Sequence, residues 1–98
     1  MNGKINQDTL ITLKSGFENV LIPELAPIIE AGRQISRCLA FDLYRLSEER
    51  STLLLHEIWK MREARETYAL RPLKTEMASL VEGFLIQLLR SWDVERVG

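Results

Sequence analysis

Between residues 28 and 70 the chain contains no proline, and after Gly32 it contains no glycine. Arg, Glu, Leu and Ala dominate the stretch, and all four enter a helix at little cost. So long a run without a backbone breaker constrains the fold more than any other feature, and it predicts a long helix. Projected at 100° per residue, Ile28, Ile35, Leu39, Leu43, Leu46, Leu53, Met61, Ala64 and Tyr68 fall within a stripe about 80° wide. Phe41, Tyr44, Leu55 and Trp59 fall on nearly the opposite side. Ser47 and Ser51 mark the place where such a helix would break. Unbroken, a helix of about 37 residues is about 55 Å long. A compact domain of this size is only about 30 Å across, so the helix breaks or the molecule is elongated.

The flanks read as shorter helices. Asp8 is a good N-cap, and Leu10, Leu13, Phe17, Val20 and Leu21 recur at spacings of three and four, one face of an amphipathic helix. Pro23 should end it near Leu21 and open another, with Pro27 and Gly32 as further weak points. Arg71-Pro72 closes the long helix. Leu73, Met77, Leu80, Val81, Phe84, Leu85, Leu88 and Trp92 then give the cleanest helical periodicity in the chain. No stretch reads as an alternating strand. The expected fold is all-α: an elongated helical bundle of three to five helices with a long central helix, in a single domain over residues 1–98 whose ends, 1–7 and 93–98, are flexible.

Composition bounds the function. The single cysteine, Cys38, excludes an internal disulfide framework and a multi-cysteine zinc site. No apolar run approaches the roughly 18 residues of a membrane span, and the polar N-terminus lacks the apolar core of a signal peptide. A cytoplasmic protein without membrane contact is expected. A net charge of −1 does not favour nucleic acid, whose binders carry a strong basic excess.

Motifs for catalysis are missing. His56-Glu57-Ile58-Trp59-Lys60 holds the first half of a zinc H-E-x-x-H motif, but Lys60 stands where the second imidazole must be. The glycines are scattered and form no phosphate loop. The carboxylates read as solvated partners of nearby arginines. No enzyme, metal site or cofactor is expected. The second apolar face of the long helix suggests instead a protein–protein interaction subunit or adaptor, with Phe41, Tyr44, Leu55 and Trp59, and Trp92 near the C-terminus, contacting a protein partner or a second copy in a homo-oligomer. A further alternative is weak nucleic-acid association through Arg62, Arg65, Arg71 and Lys74, in a run that also includes Lys60 and is diluted by glutamates.

The segment Leu53-Leu54-Leu55-His56-Glu57-Ile58-Trp59-Lys60-Met61-Arg62-Glu63-Ala64-Arg65, followed by a proline-containing connection and an early acid, Glu76, resembles the helical A domain of GINS DNA replication subunits. Met61-Arg62-Glu63-Ala64-Arg65 stands at that family's basic helix end, and Leu21-Ile22-Pro23-Glu24-Leu25 resembles its entry. The resemblance spans about residues 20–90. It implies a non-catalytic scaffold that packs long helices against partner subunits, without the small β domain such subunits usually carry.

Overall fold

Between Cys38 and Trp59 the apolar side chains alternate between two faces, and that alternation decides the architecture. The structure, a computed structural model, describes residues 3–98. In chain order it contains strand β1 (Ile5–Thr12), helix α1 (Glu18–Arg33), strands β2 (Cys38–Arg45) and β3 (Thr52–Trp59), helices α2 (Arg62–Ala69) and α3 (Pro72–Glu82), and strand β4 (Arg90–Val94). The strands form one antiparallel sheet in the order β2-β3-β1-β4. The helices cover one of its faces, giving an α+β slab 42 × 33 × 20 Å.

The all-α expectation is therefore corrected, and with it the long central helix. Residues 38–45 and 52–59 are two strands of a hairpin, joined where Ser47 and Ser51 interrupt the helical reading. Leu53, Leu55, Glu57 and Trp59 point into the helix layer, whereas Leu54, His56 and Ile58 point away and are half-buried. Leucine tolerates either element, so local preference is overruled by the burial that a two-layer packing offers. The stretch that resembles the end of a GINS helix is thus strand β3, a turn and the short helix α2, which removes the basis of that resemblance.

The N-terminal helix is corrected in the same way. Asp8 caps nothing: it lies in β1, opposite His56. Residues 5–7 and 93–94, expected to be flexible, belong to β1 and β4. Helix α1 begins at Glu18 and runs through Pro23 and Pro27. Both prolines lie on its exposed side, where water can satisfy the carbonyls they leave unbonded. Its opposite side buries Leu21, Leu25, Ile28, Ile29 and Gly32. Gly32 is required by contact: a Cβ there would sit 2.5 Å from the ring of the fully buried Phe41. Gly16, at φ +87°, makes the turn into α1, and its N–H donates to the Ser51 hydroxyl, which in turn donates to Glu18.

Helix α3 follows its sequence pattern only as far as Glu82. The helical periodicity expected to continue through Phe84, Leu85, Leu88 and Trp92 is corrected, because the chain leaves the helix at Gly83 and Trp92 pairs with β1 in strand β4. Pro72 stands in its first turn, and Met77 and Val81 are buried. Among the described residues no helix is long and apolar enough to cross a membrane, and no group of three or more His, Cys, Asp or Glu could hold a metal ion.

Candidate active site

Strands β3 and β1 send Leu55, Glu57, Thr9 and Ile11 into the helix layer, and α2 and α3 answer with Tyr68, Lys74 and Met77. These groups leave a cavity of about 80 Å³, open to solvent, with Lys74, Ala78, Leu89 and Ser91 the exposed residues of its lining. It accommodates several waters, and a small organic ring would extend out through its opening. Ser91 of β4 and Thr9 of β1, neighbours in the ladder, close one side with a 2.7 Å hydroxyl–hydroxyl bond.

Aromatic rings form the wall behind Glu57. Trp59 and Tyr68 stack with centroids 5.1 Å apart, and Phe41 meets both edge-on at 6.5 and 5.7 Å. All three are buried, so the wall is rigid. The indole N–H of Trp59 donates to Glu57 Oε1 at 2.9 Å. Lys74 Nζ lies 5.5 Å from the centre of the Tyr68 ring.

Glu57 is the unusual group. Only 2% of it is exposed, and it lies beside Phe41 in the strand register. Burial pushes its carboxyl above the ordinary carboxylate range. The Trp59 hydrogen bond and the charges of Lys74, Arg65 and His56 pull the other way without cancelling the effect. Burial likewise raises the Tyr68 phenol far above its usual range, so it stays protonated. A carboxyl that exchanges a proton at the wall of an apolar cavity, beside a phenol that keeps its own, is an arrangement suited to general acid–base work on a bound molecule.

The five residues expected to form a partner face do not share one. Phe41, Leu55 and Trp59 are buried beneath the helices, because inward strand positions alternate with outward ones. Tyr44 and Trp92 are exposed on the opposite side of the sheet, where Trp92 stacks under Arg90. The basic run is also dispersed. Arg65 is tied to Gln7 and Asp93, Lys74 lines the cavity, and Arg62 and Arg71 are exposed at the starts of α2 and α3.

His56 lies on the outer face with Nδ1 2.6 Å from Asp8 Oδ1. Cys38 is half-buried, and burial raises its thiol pKa, which leaves it a poor nucleophile.

Glu57, Tyr68, Thr9 and Ser91 were not singled out from the sequence. Glu57 carried the one usable signal, a carboxylate in phase with Leu53, Leu55 and Trp59. The others meet only through strand pairing and helix packing.

No protein-family model matches the chain, and no curated protein matches it. Solved structures do. An antibiotic biosynthesis monooxygenase superposes with a TM-score of 0.86 at 19% identity, over 96% of this chain and 99% of that one. An antibiotic biosynthesis monooxygenase-type protein of Nitrosomonas europaea gives 0.90 at 9%, over 99% and 93%. A conserved protein of Methanosarcina mazei gives 0.88 at 15%, over 97% and 94%. The expectation of a non-enzymatic adaptor or a GINS-like scaffold is corrected on two grounds. The two-sided helix it rested on does not exist, and several solved proteins of this fold carry the names of enzymes. At these identities the likeness is one of fold: this chain has the α+β fold of the antibiotic biosynthesis monooxygenase structures.

Proposed function

We propose that the chain is a small-molecule enzyme, a monooxygenase that oxidises a compact aromatic substrate in the cavity between its sheet and helices α2 and α3. The observation that carries this reading is Glu57, a buried carboxyl of raised pKa on the wall of an otherwise largely apolar, solvent-connected cavity. Such a group takes a proton from a bound hydroxyl and so enriches the ring in electrons, which readies it for dioxygen. One oxygen atom enters the ring, and the other leaves as water with electrons and protons drawn from the ring itself, which ends as a quinone. Tyr68, held by its stack on the buried Trp59, provides a flat, rigid surface against which a ring can lie. The names of the similar structures support the reaction class.

The test is oxygen uptake with a panel of monocyclic phenols and hydroquinones, using labelled dioxygen and mass analysis of the product. Uptake with one labelled atom in the product is expected. Glu57→Gln should lower the rate about 10²-fold or more, the usual contribution of a positioned acid or base. No uptake across the panel, or equal rates in the variant, would overturn the proposal.

The outer face of the sheet bears on assembly. Leu10, Leu54 and Ile58 lie half-buried on its two central strands, with Tyr44 and Trp92 exposed at its flanks and no element of the described residues over it. We propose that a second copy covers this face. A two-fold pairing places each apolar row against its own kind, and a net charge of −1 per chain opposes it little. A cytoplasmic setting belongs to the same reading, supported by the single free thiol of Cys38.

A further inference from the structure

Two side chains on the described lining can carry charge at neutral pH, one buried and one exposed. Glu57 lies at the buried wall, and Lys74 lies in the exposed first turns of α3. The lysine forms no salt bridge among the described residues. What positions its ammonium is the face of the Tyr68 ring, 5.5 Å away, a weak hold that a carboxylate can outcompete. Arg65 is already engaged by Gln7 and Asp93. Lys74 is therefore the one cation lining the cavity among the described residues, and it is free to turn toward a bound anion.

Resting on the enzyme reading above, we infer that the site selects an aromatic acid: a small hydroxylated ring whose carboxylate pairs with Lys74 at the mouth while a ring hydroxyl faces Glu57. Three features converge on that class. The Tyr68 ring, backed by the stacked Trp59, offers a planar surface on the lining. Ile11, Leu55, Met77 and Val81 exclude a second charge from the middle of the cavity. The one cation on the described lining, Lys74, is exposed, so a carboxylate that meets it remains partly hydrated and loses little on entering. A neutral ring would fill the same space but leave the ammonium without a partner.

The experiment compares two probes that differ by one carboxylate, hydroquinone and 2,5-dihydroxybenzoate, by isothermal titration of the full chain at low salt. The acid is expected to bind about twofold to fivefold more tightly, the range of a partly exposed ion pair. Added potassium chloride should erode that preference. Lys74→Met should bring the ratio of the two affinities to about one, and Lys74→Arg should restore it. A purely structural role for Lys74 would weaken both probes alike and leave the ratio intact. Equal binding of the two probes to the unaltered protein, or a preference that survives Lys74→Met, overturns the role of Lys74 and leaves the enzyme reading standing. Binding of neither probe overturns both.

Discussion

Glu57 concentrates the chemistry of the molecule in one side chain, and its environment makes its titration a measurable property. Its folded pKa is raised above the ordinary value of 4.5. The folded state therefore binds this proton more tightly than the unfolded chain does. The associated stability is fully present below about pH 4.5 and is lost as pH rises through the raised value. Glu57→Gln removes that dependence while keeping an acceptor for the Trp59 N–H. The variant should gain stability relative to the parent as pH rises through that window, seen in urea midpoints at a series of pH values. An unchanged difference across the window would show that the carboxyl is not desolvated. Glu57→Ala differs, because it leaves the indole N–H buried without a partner, at a cost of about 1–3 kcal/mol.

Gly32 sets a second limit at the same scale. Phe41 is hemmed in by Trp59 and Tyr68 as well as by α1. Its ring cannot step back from a new methyl group. Gly32→Ala should destabilise the protein by about 1–3 kcal/mol despite the better helix propensity of alanine, and a denaturant midpoint reads it directly.

Among the elements, β4 is held least firmly. It is an edge strand paired with β1 alone, and all five of its residues are exposed. Two side-chain ties supplement its ladder: the Thr9–Ser91 hydroxyl pair and the Arg65–Asp93 ion pair, which anchors it to α2. Thr9→Val and Arg65→Ala should each speed hydrogen exchange of the β4 amides while leaving the protection of β1 and β3 largely in place. Uniform acceleration across the sheet would instead mean that β4 opens only with global unfolding. Since Ser91 also closes one side of the cavity, any loosening of β4 should reach the site as weaker ligand binding.

For the whole molecule, the uncovered sheet face is the feature with the largest consequence. If a second copy seats there, Ile58→Glu puts a charge at the centre of the contact and should give a monomer by sedimentation equilibrium, with the fold retained by circular dichroism. A parent protein that is monomeric at all concentrations would remove the proposed pairing. His56 and Asp8 lie on that face, so the pairing would bury their bond as well.

Part of this architecture is legible in the residues alone. The periodicity of Leu73, Met77, Leu80 and Val81 after Pro72 marks α3, because a proline start and one apolar stripe are local properties of the chain. Ser47 and Ser51 mark an interruption, read as a break in a helix, that the structure makes the loop of a hairpin. The strands were not legible: their leucines, alanine and arginine have no aversion to a helix, and an alternating pattern over eight residues also scatters into stripes on a helical projection. What decided them was the opportunity to bury Phe41, Leu55 and Trp59 between a sheet and three helices, which no local window contains. The cavity follows the same logic. Glu57 is visible as a carboxylate among apolar neighbours, but its meeting with Tyr68, Lys74, Thr9 and Ser91 depends on strand register and helix docking across most of the chain. The sequence by itself determined that a helix follows Arg71-Pro72 and which groups were on hand for chemistry. Only the tertiary structure decided which way they face, because direction on a strand reverses with each residue and is set by the partner it packs against.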